Sequence, residues 1–297
     1  MRAVLGFVAV GLAVLVAGSY AGVLHPAGDS LAVLRYPMLL VLLGVAIALR
    51  TSWLARGAML LCAVLLADRV RMAQDGIFEG AIDVVIYQKN MLYRAYDEGA
   101  LIADIRASGA RVVTLQEVSR AHAGFLRQMQ DSHPYQVVCE GTRVGAVVVL
   151  SADPVVTQAC SAPTGIAMAE IAATDGRGPL RAVSVHLHWP WPYGQAAGLD
   201  AVLPQLAGLA PMPTVVGGDF NMVPWGHAMR RVGVVFDVRR IGHVRRTFAL
   251  FGWPLAIDHV MAGPDAAGQI DVRPRLGSDH FGVLGRVVFE GPTDALR

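Results

Sequence analysis

Residues 3–24 form an apolar run without a single charge, and at 1.5 Å per residue that length covers a hydrocarbon core of about 30 Å. His25-Pro26-Ala27-Gly28-Asp29-Ser30 is turn chemistry, and residues 31–49 are again apolar apart from Arg35, near enough to the segment's end to snorkel. A third, shorter stretch over 53–69 has Arg56 near its start. The pattern predicts two to three transmembrane helices at about 3–24, 31–49 and 53–69, with residues 1–72 as a membrane anchor and the third span the weakest. A cleavable signal peptide is the alternative for the first run, because Arg2 precedes it and Gly18, Ser19 and Ala21 follow. A buried helical hairpin in a soluble fold is disfavoured, since helices apolar on every side need a very large protein around them.

After a linker at 73–80 the period changes. Strands are expected at 82–87, 112–115, 135–139, 145–150, 155–158, 181–188, 214–218, 255–261 and 283–289, with helices at 96–108, 119–129 and 195–209. In the 181–188 strand, Ser184, His186 and His188 share one face and Val183, Val185 and Leu187 the other. Residues 73–297 therefore read as one α/β domain.

Composition sharpens this division. The chain is 54% hydrophobic and 16% charged with a mean hydropathy of +0.47, which excludes intrinsic disorder. Residues 1–70 hold only Arg2, Asp29, Arg35, Arg50, Arg56, Asp68 and Arg69 as charges, so the apolar surplus is N-terminal. The remainder is close to neutral and shows no basic face of the kind that binds nucleic acid. Arginines set orientation. Arg2, Arg50 and Arg56 on the cytoplasmic side put the domain outside the cell membrane, whereas Arg69 and Arg71 argue the other way.

Polar residues with chemistry recur where strands end. The segments are Tyr87-Gln88-Lys89-Asn90, Leu115-Gln116-Glu117-Val118, Val183-Ser184-Val185-His186, Gly218-Asp219-Phe220-Asn221, Ile257-Asp258-His259 and Ser278-Asp279-His280. In that order they resemble the endonuclease/exonuclease/phosphatase superfamily over roughly residues 83–288, and with the N-terminal helices its membrane-anchored bacterial branch. The resemblance implies a four-layer α/β sandwich, two packed mixed β-sheets flanked by helices, preceded by the transmembrane helices. It also implies Mg²⁺ or Mn²⁺ as cofactor, with Glu117 as main ligand, Asn90 beside it, and Asp279 facing the metal region. Asp219 would orient or activate the attacking water and Asn221 donate to a phosphate oxygen; their spacing points both side chains the same way around Phe220. Asp258 and His280 would form a dyad, and His186 would bind the phosphate or protonate the leaving group. Spacing alone leaves His188 open for that role.

Each residue also has a plainer reading. Glu117 suits a helix N-terminus, Asn90 a turn, and Asp219 an Asx turn. Ala110-Arg111 and Ser151-Ala152-Asp153-Pro154 depart from the family pattern at non-catalytic positions, and no second acidic residue supports a histidine as in the family's nucleases.

The function expected is a membrane-anchored, metal-dependent phosphoesterase acting on a phosphate ester, lipid-linked by preference. A membrane-tethered nuclease is the alternative, kept open by Arg230-Arg231, Arg239-Arg240 and Arg245-Arg246 but not favoured, since Lys89 is the sole lysine. A catalytically inactive scaffold would have lost a motif residue. Trp189 and Trp191, in His188-Trp189-Pro190-Trp191-Pro192-Tyr193, are expected to contact substrate at the bilayer boundary; the alternative is that these rings cap the core. The expected partners are the bilayer and the phosphate ester, with no protein partner inferred. Cys139 and Cys160 flank the 145–150 strand and either pair in an oxidising compartment or stand as two unrelated buried thiols, with Cys62 free in both cases.

Overall fold

The computed structural model describes residues 1–72, 81–142, 144–161, 165–172 and 178–289; the expected linker at 73–80 lies outside them. The N-terminal part folds as α1 (Arg2–Gly18), α2 (Ala27–Val33), α3 (Arg35–Ala48) and α4 (Trp53–Arg71). α1 ends where the Ser19 hydroxyl donates to the Val16 carbonyl, 2.6 Å away.

Arg35 does not snorkel. It is buried, its Nε donates to Ser19 Oγ (2.8 Å) and its Nη2 to the Ser19 carbonyl (2.5 Å), and the guanidinium lies 3.7 Å from the Tyr20 ring centre. α2 and α3 meet there at 66°, so the expected second span is a bent pair. Among the described residues no single helix is long and apolar enough to cross a membrane. The first expected span is shortened to the 17 residues of α1, and the third, α4, carries Arg69 and Arg71 in its last turn. Val16, Met38, Leu39, Leu42 and Cys62 form the core of this bundle, while Phe7, Val10, Val14, Leu40, Val41, Leu60, Leu61 and Val64 remain exposed.

The remainder runs β1 (Val84–Asn90), α5 (Gly99–Ser108), β2 (Val112–Val118), α6 (Ala123–Met129), β3 (Tyr135–Thr142), β4 (Gly145–Ser151), β5 (Val155–Ser161), β6 (Ile166–Ile171), β7 (Leu180–His186), α7 (Gln195–Leu206), β8 (Thr214–Asp219), α8 (His227–Phe236), β9 (Arg239–Arg240), β10 (Phe248–Leu250), β11 (Trp253–Leu255), β12 (Asp258–Ala262), β13 (Ala266–Arg273) and β14 (Gly282–Phe289). Two six-stranded sheets form, in the orders β13-β14-β1-β2-β4-β3 and β5-β6-β7-β8-β12-β9, and β10 pairs with β11 as a separate hairpin. Each large sheet contains one parallel pair, β1 with β2 and β7 with β8. Parallel neighbours need a crossover, which α5 and α7 supply.

α5 buries Leu101, Ile102 and Ile105 in a cluster with Tyr87, Val113, Phe125 and Met129, while Leu199, Val202, Val232 and Phe236 of α7 and α8 cover the second sheet. Between the sheets lie Ile86, Val147, Val149, Ala167, Ala169, Ala182, Val215, Val260 and Val287. Small residues let the sheets approach: a Cβ on Gly217 would stand 2.2 Å from Thr114 Oγ1 of the opposite sheet. The four layers expected from sequence are present. β6, β13, α8 and the β10–β11 hairpin were not anticipated. In α8 the buried Ala228, Met229, Val232 and Phe236 follow helical spacing, with exposed Arg230 and half-buried Arg231 on the polar face.

Cys139 and Cys160 are joined, with Cα atoms 5.4 Å apart. They do not flank one strand within a single sheet. β3 and β5 are edges of different sheets, so the bridge closes one side of the sandwich. Cys62 is free and buried.

The helices dock onto the domain through one end of the bundle. Asp29 accepts from the backbone N–H groups of His227 (2.6 Å) and Ala228 (3.0 Å), capping α8, whose own N-cap residue Gly226 has no side chain to do so. Trp225 Nε1 donates to the Ala32 carbonyl, its ring meets Tyr36 edge-on at 4.5 Å, and Arg69 lies over both rings. Ser30 Oγ donates to the Trp191 carbonyl and Val244 N–H to the Met72 carbonyl.

The bridge closes a loop of sequence separation 21, so Cys139→Ser with Cys160→Ser should lower unfolding free energy by about 3 kcal/mol. Denaturant melts with and without reductant measure this; an unchanged midpoint refutes it. A second expectation concerns His259, whose Nε2 donates to the Met222 carbonyl and whose burial pushes it down to about 4. The unfolded chain then binds the extra proton between pH 6.5 and 4, so stability falls as pH drops through that window, by at most about 1.4 kcal/mol per unit. His259→Asn should show a shallower fall in its urea midpoint across the same range.

Candidate active site

The topology brings the chemical residues to one end of the sandwich. Asn90 and Glu117 end the parallel strands β1 and β2, and His186 and Asp219 end the parallel strands β7 and β8, in register with each other. β12 runs antiparallel to β8, so its first residue, Asp258, pairs with Asp219.

Glu117 sits at a register irregularity between Leu115 and Val118 with φ +57°, a conformation costly for a residue with a Cβ. Gly145 makes room for it, since a Cβ there would lie 2.8 Å from the Glu117 carbonyl carbon. The carboxylate accepts from Asn90 Nδ2 (3.1 Å) and from Tyr93 N–H (3.1 Å). It does not cap the following helical turn; Ser119 does, accepting from Ala121 N–H. Asn90 also donates to Asp219 Oδ2 (3.0 Å), and its Oδ1 accepts from Leu92 N–H (2.9 Å). It is thus both a turn former and the bridge between two carboxylates.

Phe220 enters the core as the alternation requires, and Asn221 adopts φ +46°. Asn221 N–H donates to Asp219 Oδ1 (2.8 Å), the expected Asx turn, and Nδ2 donates to the Leu187 carbonyl (2.8 Å). Gln195, not anticipated, donates to the carbonyls of His188 and Phe220, so it ties the aromatic loop to this segment.

His280 Nδ1 donates to Asp258 Oδ2 at 2.9 Å, and its Nε2 is 3.8 Å from Asp219 Oδ2. Burial opposes the charged imidazole, but Asp258 and Asp219 outweigh it and lift His280 to about 9. Burial likewise works against the Asp258 carboxylate, yet the His280 charge and hydrogen bonds from His280, Thr247 and Gln88 hold it below the usual range. Asp219 is pushed up to about 7 by burial, opposed by His280 and reinforced by Asp258. His186 Nε2 lies 3.8 Å from both Glu117 Oε1 and Asp219 Oδ2, and burial, with His280 and His188 nearby, depresses it to about 4. The centre therefore holds an imidazolium–carboxylate pair, a neutral imidazole and a carboxylate of raised proton affinity.

Gln88 was not singled out in the sequence, although it shares a strand face with Asn90 and is polar in a buried strand. Its Nε2 donates to Asp258 Oδ1 (3.0 Å) and Gln116 Oε1 (2.9 Å), and Gln116 donates to Ser184 Oγ (2.9 Å). Thr247 Oγ1 accepts from Asp258 N–H. Four candidates from the sequence, Asp279, His188, Trp191 and Trp189, lie outside the Asp219, Asp258 and His280 cluster. Asp279 is exposed and has no hydrogen bond among the described residues, while its neighbours Ser278 and His280 are buried. His188 is exposed, which favours His186 for the histidine role. Trp191 is exposed, and Trp189 is half-buried against Phe248 with ring centres 6.1 Å apart; Phe248 in turn lies 4.6 Å from the His280 ring.

Asp219, Asp258 and His280 offer ligand atoms within 4.8 Å of one another. With its Nδ1 donating to Asp258 and the neighbouring carboxylates favouring the charged ring, however, His280 is a poor cation ligand. The better donor for a hard cation is Glu117, a partly open carboxylate beside Asn90 and near the charge-hungry Asp219. One or two carboxylates with water completing the shell suit Mg²⁺, so the residues fit that ion.

The profile of the Endonuclease/Exonuclease/phosphatase family matches residues 88–280. No curated protein sequence matches the chain significantly. Among solved structures, the endonuclease/exonuclease/phosphatase from Bacteroides vulgatus is 14% identical with a TM-score of 0.56, over 70% of this chain and 99% of that one. Sphingomyelinase C from Streptomyces griseocarneus is 17% identical with a TM-score of 0.51, over 68% and 98%. A Staphylococcus aureus beta toxin variant with bound magnesium ions is 11% identical with a TM-score of 0.53, over 69% and 99%. Fold, ordered motifs and family profile agree: the chain belongs to the endonuclease/exonuclease/phosphatase family, whose members hydrolyse phosphoester bonds.

Proposed function

We propose that this chain is a Mg²⁺- or Mn²⁺-dependent phosphoesterase that works at a membrane surface on a lipid-linked phosphate ester. The observation that carries the chemistry is the complete set of Glu117, Asn90, Asp219, His186, Asp258 and His280 at one end of the sandwich. Held by Glu117, whose carboxylate Asn90 positions by a hydrogen bond, the cation would supply neutralisation of phosphate charge. Asp219, with its raised proton affinity, orients and deprotonates the attacking water. His280, kept charged by Asp258, donates to a phosphate oxygen, as does Asn221, whose amide is oriented by the Leu187 carbonyl. His186 hydrogen-bonds the phosphate or the leaving oxygen. Asp279, on the exposed side of its turn, reaches the metal region only through water.

The substrate class rests on the surroundings of that centre. The hairpin beginning at Phe248, which lies against His280, carries a fully exposed Phe251 at its tip and an exposed Trp253. Trp191 and Tyr193 are exposed on the neighbouring loop. Aromatic rings with polar edges favour the membrane–water boundary. The N-terminal bundle also exposes more apolar surface than a soluble monomer usually tolerates. We read it as seated in the bilayer of the cell membrane. The docked end, residues 19–36 and 69–72, then faces the domain, and Arg2, Arg50 and Arg56 lie at the far, cytoplasmic end. Arg69, which weighed against this orientation, is engaged with Tyr36 and Trp225. A domain outside the cell also accords with the disulfide.

Two outcomes are expected. Glu117→Ala and Asp219→Ala should each lower Mg²⁺- or Mn²⁺-dependent turnover of a small phosphodiester at least about 100-fold, with unchanged circular dichroism, and chelation should silence the wild type until either ion is returned. A folded variant with near-wild-type turnover refutes that residue's role. In detergent, a prenyl or glycerolipid phosphate should be hydrolysed faster than plasmid DNA, and Trp191→Ala with Phe251→Ala should slow the lipid reaction more than the small soluble one. Efficient DNA cleavage without lipid-phosphate turnover would establish the tethered nuclease instead.

A further inference from the structure

Lys89 carries the only lysine ammonium of the chain and is 0% exposed, although a charged amine is costly to bury unless its donors are met. It lies between Gln88 and Asn90, whose side chains reach Asp258 and Asp219. Alternation sends Lys89 through the opposite face of β1, with Tyr87. Among the described residues it forms no ion pair. Its Nζ donates instead to three backbone carbonyls: Arg275 at 2.6 Å, His280 at 2.7 Å and Pro274 at 3.4 Å.

All three acceptors lie in the segment 274–280, which delivers His280 to Asp258. The segment reverses through Leu276 at φ +48° and Gly277 at φ +98°, and a Cβ on Gly277 would stand 2.0 Å from the Tyr96 ring. Ser278 Oγ donates to the Asn90 carbonyl and accepts from His280 N–H. Two consecutive residues of β1 therefore hold the turn, Lys89 by its ammonium and Asn90 by its backbone. An ammonium with three rotatable donors suits convergent carbonyls, whereas an apolar side chain would leave them without a partner.

We propose that Lys89 is a positioning residue for His280: its buried ammonium ties down both ends of the 274–280 turn and so fixes the imidazole against Asp258. Lys89 contacts neither substrate nor the reacting atoms and acts through the backbone carbonyl of His280. The inference rests on the reading of Asp258 and His280 as the working dyad, so its test includes a measurement independent of activity.

In the full chain, in detergent and with labelled histidine, the His280 Nδ1 proton shared with Asp258 should give a resonance downfield of the backbone amides, identified by its loss in His280→Ala. Lys89→Met should broaden or abolish that resonance. It should also lower kcat for a small phosphodiester about tenfold or more and leave KM within about twofold. Lys89→Gln, which keeps shorter amide donors, should give the same split at smaller amplitude, and it decides the matter if the methionine variant does not fold. A variant with a lower melting temperature but the wild-type resonance and wild-type kcat per folded molecule overturns the proposal, because the lysine would then only stabilise. A wild type with the resonance but no phosphoesterase activity refutes the proposed function while the resonance still reads the tie.

Discussion

Two carboxylates face each other across one pair of strands. Asp219 and Asp258 are paired in register on β8 and β12, both buried, and neither is tolerable there as a bare charge. The surrounding architecture answers this constraint. His280 supplies the positive charge, and Gln88, Asn90 and the Asn221 backbone supply donors. Gln88 and Asn90 come from the other sheet, so the centre exists only while the two sheets keep their spacing and relative register. Gly217 against Thr114, the small interior residues and the bridge between edge strands β3 and β5 serve that spacing. Stability of the sandwich and protonation in the centre are therefore one problem.

Much of the centre was legible because strand ends are legible. Alternation sent Phe220 into the core, and the order of motifs matched the family, but Asn221 leaves the extended path at φ +46° and meets Asp219 through its backbone N–H. What alternation does not carry is where a strand stops being regular. The second strand was expected to end at Leu115, but it continues through an irregularity that gives Glu117 a positive φ and turns its carboxylate toward Asn90. His186 and His188 share a face on paper, yet the strand ends at His186 and leaves His188 exposed. Asp279 and His280 are neighbours in a turn that leaves Asp279 exposed and His280 buried.

The N-terminal helices show the complementary failure. Hydropathy located them, but it judged Arg35 by its distance from a membrane boundary and left Asp29 as part of a turn. The partners that fix both residues are tertiary: Ser19 and Tyr20 for Arg35, and the first N–H groups of a helix 198 residues away for Asp29. A charge inside an apolar run is satisfied by whatever donor or acceptor the fold brings to it, and a sliding window does not contain that information.

The same docking explains why the motif at Asp219 extends further than an Asx turn requires. Met222 and Val223 are buried beneath the segment, and Trp225 leaves the domain to meet Ala32 and Tyr36 before α8 begins under the Asp29 carboxylate. The stretch carrying Asp219 and Asn221 is thus held at one end by sheet register and at the other by the N-terminal helices. Trp191, whose carbonyl accepts from Ser30, is held by the same helices on the other side of Gln195, which itself binds the Phe220 carbonyl. Movement of the helical bundle relative to the sandwich would consequently act on both the Asp219 carboxylate and the aromatic loop, through contacts that lie outside the Asp219, Asp258 and His280 cluster.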